Sequence, residues 1–165
     1  MIWGIKSKEA TVAITSASNK KEKGGRFMLS KSKYCAFSQC PKRLWLQTYR
    51  PELSEDNAAL DARMETGNEV GDLAMGLFGD FTEVTVHKED GRLDLAHMIA
   101  HTQELVAENH PVICEASFSY EGNYCAVDIL RAEKGGYAIY EVKSATHEAE
   151  IYGIDIAYQK YVLEH

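Results

Sequence analysis

Two short segments, Cys125-Ala-Val-Asp-Ile-Leu130 and Tyr137-Ala-Ile-Tyr-Glu-Val-Lys143, decide the fold of this chain. Both have the composition of β-strands, and a glycine-containing turn separates them. Side chains two apart on a strand share a face, so Glu141 and Lys143 are predicted to project together. Asp128 and Glu141 are hard oxygen ligands for a divalent cation, and Lys143 offers a positive point charge. This set is typical of metal-assisted phosphodiester cleavage.

The turns predict how these strands pair. Candidate strands are Val112–Tyr120, Asn123–Arg131 and Tyr137–Lys143, joined by turns at Glu121-Gly122-Asn123 and Glu133-Lys134-Gly135-Gly136. A loop centred on Lys134-Gly135 places Asp128 opposite Glu141. A two-residue first turn, at either Glu121-Gly122 or Gly122-Asn123, puts Glu115 on the same face as Asp128. A slip of one residue would exchange the two faces, so the register is well specified.

The pairing predicts one apolar face and one mixed face. The apolar face would hold Cys114, Ala116, Phe118, Tyr120, Cys125, Val127, Ile129, Tyr140 and Val142. The other would hold Glu115, Asp128, Glu141 and Lys143 among Ala126, Leu130 and Ile139. A sheet with one solvated face shows the same alternation, so that interpretation stays open. The apolar neighbours of Asp128 favour a functional site, because Asp is depleted in strand interiors.

An Asp, a short turn and a Glu-x-Lys in the next strand resemble the PD-(D/E)XK nuclease superfamily. Three further segments resemble its RecB-like branch, which includes the CRISPR-associated exonucleases. They are Ser30-Lys-Ser-Lys-Tyr34 through Cys40-Pro-Lys-Arg-Leu-Trp-Leu46, Gly67-Asn-Glu-Val-Gly71, and Gln159 on the helix after the Glu-x-Lys strand. The resemblance covers roughly Leu29 to Val162, and the order of these motifs is more specific than any one of them.

The resemblance implies an α/β fold with a restriction-endonuclease-like core, a mixed sheet of about four strands flanked by helices in the order ααβαβββα. It implies a Mg²⁺- or Mn²⁺-dependent deoxyribonuclease whose partner is DNA, with a helicase or further domain in the full-length protein. Asp128 and Glu141 would bind the metal, with the Val142 carbonyl as third ligand. Lys143 would position or help deprotonate the water, and Gln159 would support substrate or Lys143. Exonuclease and endonuclease activity both stay open.

The chain also departs from that family. Gly71 replaces a histidine that often binds the metal, and Glu69 or Glu115 is the candidate replacement. The tyrosine that usually follows Gln159 by three or four residues is absent. Some relatives hold an iron–sulfur cluster with one N-terminal and three C-terminal cysteines; Cys40 matches the first, but no cysteine follows residue 125, so no complete cluster is expected. A degenerate module that binds DNA or a protein partner without cleavage is therefore the alternative.

Composition and charge are those of a water-soluble domain. The 165 residues are 45% hydrophobic and 26% charged, with no run near the roughly 20 apolar residues of a membrane span. No secretory signal is evident, so a cytoplasmic protein is expected. Residues 1–50 hold 11 Lys and Arg against 2 Asp and Glu, whereas the rest is strongly acidic. The basic candidates for nucleic-acid binding are Lys31, Lys33, Lys42, Arg43 and Arg50; a merely solvated basic face is equally open.

The cysteines and histidines suggest little metal chemistry of their own. Cysteines 35, 40, 114 and 125 form no Cys-x-x-Cys pair, and Cys114 and Cys125 are predicted not to lie opposite each other. Small reduced thiols are therefore expected. His97 and His101 are four apart on a predicted helix, where solvent-facing histidines are expected more often than a metal site.

The chain divides into a flexible basic arm, residues 1–28, and a nuclease-like domain, residues 29–165. The ending Leu163-Glu-His165 resembles a vector-derived tail, so we expect the natural chain to extend past Val162. The predicted helices run from Ser32 or Ser38 to Tyr49, Ala58 to Phe78, Gly91 to Asn109 and Glu148 to Leu163, with an edge strand at Phe81–His87. Two sets of side chains are predicted to pack inward: Phe37, Leu44, Trp45 and Tyr49 in the first helix, and Leu60, Met64, Val70, Leu73, Ala74 and Leu77 in the second.

Overall fold

The structure is a computed structural model that describes residues 2–4, 28–54, 58–145 and 147–165, with the backbone alone for 2–4 and 58–64. Most of the predicted flexible arm therefore lies outside the described residues. Ile2–Gly4, within that arm, forms a short strand. Strand pairing with a longer neighbour supplies the backbone hydrogen bonds that order three residues.

The protein is a mixed α/β fold built on a curled mixed sheet. Its strands are β1 (Ile2–Gly4), β2 (Leu29–Ser30), β3 (Thr82–Glu83), β4 (Val112–Tyr120), β5 (Asn123–Glu133) and β6 (Gly136–Val142). The spatial order is β1-β6-β5-β4-β3, and β2 pairs with β5 beside this path. Strands β4, β5 and β6 form an antiparallel meander, whereas β3 runs parallel to β4 and β2 parallel to β5. The short strands β1 and β2 were not predicted.

The hairpin register agrees with the sequence prediction. Tyr120 pairs with Asn123 across a two-residue turn at Glu121-Gly122. Glu133 pairs with Gly136 across Lys134-Gly135, and Ile129 lies opposite Tyr140 as predicted. Gly122 and Gly135 both have positive φ, the conformation that tight hairpin turns require and glycine adopts without strain.

Strand β5 changes partner along one edge, and this opens a gap in the sheet. At its beginning, Asn123 and Tyr124 pair with β2. Further along, Ile129 to Glu133 pair with β6. Asp128 lies between these two ladders, and its carboxylate accepts the Val142 backbone N–H at 2.7 Å. This bond uses the carboxylate oxygen Oδ2, so Asp128 links β5 to β6 across the gap, and its other oxygen, Oδ1, can accept a group that enters the gap.

In the part of the chain that the structure describes, five α-helices surround the sheet: α1 (Lys31–Gln39), α2 (Pro41–Tyr49), α3 (Ala58–Met75), α4 (Leu95–Ala107) and α5 (Glu150–Leu163). The single helix predicted up to Tyr49 is wrong, because the chain forms two helices. Cys40, between them, is extended with φ −164° and ψ 113°. A residue before proline is pushed out of the helical region, and Pro41 is favoured as the first residue of a new helix.

The other helices lie close to their predicted positions. Helix α3 continues into a 3-10 turn at Gly76–Phe78, which together match the predicted Ala58–Phe78. Helix α4 starts later than predicted because the Asp94 side chain caps it by accepting the His97 N–H at 3.3 Å. The edge strand predicted at Phe81–His87 is present, shortened to β3.

The apolar face predicted for the meander is divided between two clusters. One holds Ala116, Phe118, Cys125 and Val127 together with Leu130, Ile139, Tyr158 and Val162. The other holds Cys114, Ile129 and Tyr140, with Phe78 and Val142 packed against it. The prediction of one apolar and one mixed face is therefore wrong. The ladder between β4 and β5 is interrupted at Glu115, whose φ of 56° is left-handed.

The apolar stripes predicted for the helices are not all buried. On α2, which contributes no buried residue to the core, Trp45 is 53% exposed and Tyr49 is also exposed. Phe37, on α1, is exposed as well. On α3, Ala74 is buried but Leu73 is 82% exposed, and Leu77 in the following 3-10 turn is exposed. Helical spacing alone identified a stripe in each case, without determining whether another element covers it.

The cysteines and the helices bear on two predictions, one about disulfides and one about membrane spans. All four cysteines are free thiols; Cys114 and Cys125 are buried, and Cys40 is exposed. Within the described ranges, no helix combines the length and apolar character needed to cross a bilayer.

Candidate functional site

Two carboxylates from adjacent strands meet at one ammonium group. Lys31 Nζ lies 3.3 Å from Asp128 Oδ1 and 3.1 and 3.0 Å from the two carboxylate oxygens of Glu141. Both acids therefore contact a single cationic atom, as a pair sharing an ion would. The structure brings Asp128 and Glu141 together as the register predicted.

Glu141 is the most enclosed member of this group, at 1% exposure. Its carboxylate contacts Lys31, accepts a hydrogen bond from Lys143 Nζ, and accepts another from Gln159 Nε2 at 2.6 Å. Two ammonium groups and one amide N–H thus compensate for the loss of water around this buried carboxylate. Glu141 and Lys143 share a face, as their spacing predicted.

Helix α5 supplies a second hydrogen-bond acceptor for Lys143. Asp155 accepts a hydrogen bond from Lys143 Nζ at 3.0 Å and another from Gln159 Nε2 at 2.9 Å. Gln159 is fully buried, and its Oε1 has no hydrogen-bond partner among the described groups. The glutamine thus ties α5 to Glu141, and its free carbonyl oxygen can accept one further donor.

Burial and charge act in opposite directions on these groups. Burial lowers the pKa of Lys31, but the Glu141, Asp128 and Asp155 carboxylates outweigh it and raise the pKa above its usual value. Lys143 follows the same pattern, with Glu141 as the main opposing charge. Burial raises the pKa of Glu141, and the positive charge of Lys31 opposes that rise. Both lysines are therefore ammonium groups at neutral pH.

Glu115 lies beside the carboxylate pair without joining it. It faces Asp128 in the register of β4 and β5, at the interruption of the ladder. Burial, assisted by Asp128, raises the pKa of Glu115 to about 7. The predicted ligand Glu115 is thus a half-buried carboxyl group that lines the same cleft as Asp128 and Glu141.

Two open clefts converge on the site. An acidic cleft of about 410 Å³ lies between α3 and the sheet, and its carboxyl groups are Asp72, Glu83, Glu115, Asp128 and Glu141. A basic groove of about 450 Å³ lies between α1, α2 and α5, and its charged groups are Lys31, Lys33, Arg43, Lys143 and Asp155. Lys31 and Lys143 line both. The candidate site therefore separates an acidic side from a basic side.

The predicted basic residues have different surroundings. Lys33 and Arg43 line the basic groove, whereas Lys42 is exposed on α2. Arg50 pairs with Glu52. Lys31, predicted to track nucleic acid, is instead the counter-ion of the two acids.

The donor set suits a hard divalent cation. Asp128 and Glu141 supply oxygen ligands, Val142 lines the same cleft, and the Lys31 ammonium stands where one cation touches both acids. In the described part of the chain, no group of three or more His, Cys, Asp or Glu side chains is arranged to hold a metal ion. Mg²⁺ often binds through only one or two carboxylates and keeps several waters, so two carboxylates satisfy its needs.

The other metal candidates lie elsewhere. Glu69, the candidate ligand on α3, is exposed and is not among the residues that line the acidic cleft. Gly71 and Asp72 of the same helix line that cleft. His97 and His101 lie side by side on α4 with ring centroids 6.2 Å apart.

Sequence reasoning missed Asp155 and gave Lys31 a different role, that of a nucleic-acid contact. Asp155 precedes Gln159 by one helical turn, so the (i, i+4) spacing was a signal that both share a face. Lys31 had no local signal, because its partners lie 97 and 110 residues away. Nothing in the sequence around Lys31 separates an ion-paired lysine from a solvated one.

Comparisons with known proteins add nothing to this geometry: no protein-family model, no curated protein and no solved structure matches the chain.

Proposed function

We propose that this protein is a Mg²⁺- or Mn²⁺-dependent nuclease that hydrolyses phosphodiester bonds in DNA, built on a restriction-endonuclease-like core of the RecB-like type. The observation that carries the proposal is the convergence of Asp128, Glu141 and Lys143 beside a basic groove. The antiparallel meander that carries these residues, flanked by helices, supports the fold assignment.

Each residue has a role that its contacts allow. Asp128 and Glu141 would hold the cation, and Val142 would contribute its carbonyl oxygen. The chemistry that a divalent cation supplies in such a site is polarisation of a phosphate oxygen and activation of a water. Lys143, anchored by Glu141 and Asp155, would orient the water and offset negative charge that develops on the phosphate.

Gln159 acts as a positioning residue. It is buried and donates to both Glu141 and Asp155, so it holds the ligand carboxylate and the anchor of Lys143 at a constant separation. Such outer hydrogen bonds orient metal ligands and tune their basicity.

The basic groove supports a polyanionic substrate. Lys33 and Arg43 line its wall, and it leads to Lys31 and Lys143 at the carboxylate pair. A guanidinium and an ammonium placed along one groove match successive phosphates of a nucleic-acid strand. A strand lying there would present a phosphodiester to Lys143.

The decisive experiment compares cleavage of end-labelled single- and double-stranded DNA with MgCl₂ or MnCl₂. We expect Glu141→Gln, which keeps the shape of the side chain, to lower the cleavage rate by about 10²–10³-fold, as removal of one charge-stabilising group does. Glu164→Gln, an equivalent change at an exposed position just after α5, should cleave like the wild type. Equal cleavage by Glu141→Gln and wild type would contradict the assignment.

A second function has one observation in its favour. Lys31 already occupies the position between the two carboxylates, as expected of a degenerate module that binds DNA or a partner protein without cutting. Backbone amide shifts of Asp128, Glu141 and Val142 during a Mn²⁺ or Mg²⁺ titration separate the two. Localised shifts with cleavage support the nuclease, whereas DNA binding with neither shifts nor cleavage supports the module.

A further inference from the structure

The carboxylate pair has a cation that belongs to the chain itself. Lys31 is the first residue of α1 and follows β2 directly. Because β2 pairs with β5 before the gap at Asp128, the chain delivers the Lys31 ammonium into that gap. The side chain is 19% exposed and contacts both acids, so its place is determined by the fold.

A metal ion and this ammonium would use the same oxygen atoms. Lys31 Nζ is within 3.3 Å of Asp128 and within 3.1 Å of Glu141. A metal ion between the two acids would lie close to Lys31 Nζ, and the two cations would repel each other. The carboxylate lone pairs that face Lys31 are also the ones that a shared ion needs. Occupation by one excludes the other.

Lys31 also has a route away from the acids. It lines the basic groove as well as the acidic cleft. A lysine carries its charge on a flexible four-carbon stem, so the ammonium can rotate from one side to the other without movement of α1. On the groove side, it would stand near Lys33 and Arg43, where the phosphates of a bound strand would offset its charge.

We propose that Lys31 is a built-in counter-cation, which a divalent metal ion displaces from Asp128 and Glu141 into the basic groove. This inference rests on the proposed function, since it presupposes a metal ion between the two acids. It adds that Lys31 occupies the position between the two acids when no metal ion is bound. Metal affinity is then set by competition with Lys31.

The wild-type protein tests the displacement directly. Acetic anhydride acetylates exposed amines, and peptide mass spectrometry reports the extent at each lysine with and without MnCl₂. We expect acetylation of Lys31 to rise with Mn²⁺ and to saturate with the midpoint of Mn²⁺ binding measured by calorimetry. Lys160, exposed on α5, should show no change. Calorimetric binding without any change at Lys31 would overturn the inference.

A substitution tests the competition. Removing a charge-assisted contact from the competing partner should make Lys31→Met bind Mn²⁺ about tenfold more tightly or better than wild type. Lys31→Arg should bind like the wild type or more weakly, and Lys160→Met is the matched surface control. Unchanged or weaker binding by a folded Lys31→Met, checked by circular dichroism, would overturn the inference; if that variant does not fold, acetylation of the wild type decides.

The outcomes also separate this inference from the proposed function. Equal Mn²⁺ affinity in wild type and Lys31→Met, together with DNA cleavage, refutes the displacement alone and leaves the nuclease proposal standing. Absence of Mn²⁺ binding in both proteins, with no cleavage, refutes both.

Discussion

Glu141 concentrates the electrostatics of the candidate site in one buried carboxylate. Lys31, Lys143 and Gln159 all contact it. Burying a carboxylate costs several kcal/mol unless charges and hydrogen bonds compensate it. Well-packed apolar side chains often serve stability as well as a buried ion pair does. The burial of this cluster is therefore weak evidence that it stabilises the fold.

The pKa of Glu115 makes stability depend on pH. In the folded protein it is raised from 4.5 to about 7 by burial and by Asp128. The folded state therefore binds this proton more tightly than the unfolded state, so its contribution is complete below pH 4.5 and is lost as the pH rises through 7. In EDTA, we expect wild type to lose about 1–3 kcal/mol of unfolding free energy between pH 5 and 8 relative to Glu115→Gln.

Urea denaturation at both pH values measures this difference. Glu104→Gln removes an exposed carboxyl group from α4 and should follow the wild-type pH dependence. Parallel stability curves for wild type and Glu115→Gln would show that the Glu115 carboxyl group titrates normally.

At the scale of elements, two short features orient the chemistry. The two-residue strand β2 places the start of α1 against β5, and the Ser30 hydroxyl caps α1 by accepting the Lys33 N–H at 3.4 Å. Tyr34 of α1 stacks on Tyr158 of α5 with ring centroids 4.8 Å apart. Helices α1 and α5 are thereby held together, and between them they supply Lys31, Asp155 and Gln159.

Helix α3 contains a glycine that the fold does not require. A Cβ at Gly71 would meet no atom within 4 Å. Because alanine has a higher helix propensity, we expect Gly71→Ala to raise the free energy of unfolding by about 0.5–1 kcal/mol, measured by urea denaturation. Gly79 has a φ of 93°, so Gly79→Ala should destabilise the protein. A loss of stability in Gly71→Ala would contradict this prediction and would mean that another group approaches α3 closely at this position.

At the scale of the whole molecule, charge is divided between two sides of one site. The acidic cleft suits a cation, and the basic groove suits a polyanion. A protein with net charge −7 can attract DNA only through such local separation, because its overall field repels phosphates.

This charge separation predicts how DNA binding responds to salt. If Arg43 contacts one phosphate, Arg43→Gln should weaken binding and reduce the slope of log K against log salt concentration by about 0.7–0.9. Fluorescence anisotropy with labelled DNA at several NaCl concentrations measures both. Lys134→Gln, at the exposed turn between β5 and β6, should leave the slope unchanged. An identical slope in wild type and Arg43→Gln would exclude Arg43 from the DNA contact.

Local patterns were sufficient for much of the fold. The β4–β5–β6 meander and its register followed from turn glycines and alternation, because hairpin partners are close in sequence. The same register brought Asp128 opposite Glu141, and strand spacing placed Lys143 beside Glu141. Helices α3, α4 and α5 followed from apolar periodicity, whereas the break at Cys40 was missed although Pro41 signalled it.

The amino-acid sequence by itself determined the hairpins, most helices and the grouping of two acids with one lysine, since these depend on neighbours along the chain. Only the tertiary structure decided that Lys31 enters the gap beside Asp128, that Asp155 anchors Lys143, and that the predicted apolar face is divided at Glu115. Such features depend on which distant segments pack together and on how a curled sheet distributes its side chains. No local pattern encodes a contact between residues about a hundred positions apart.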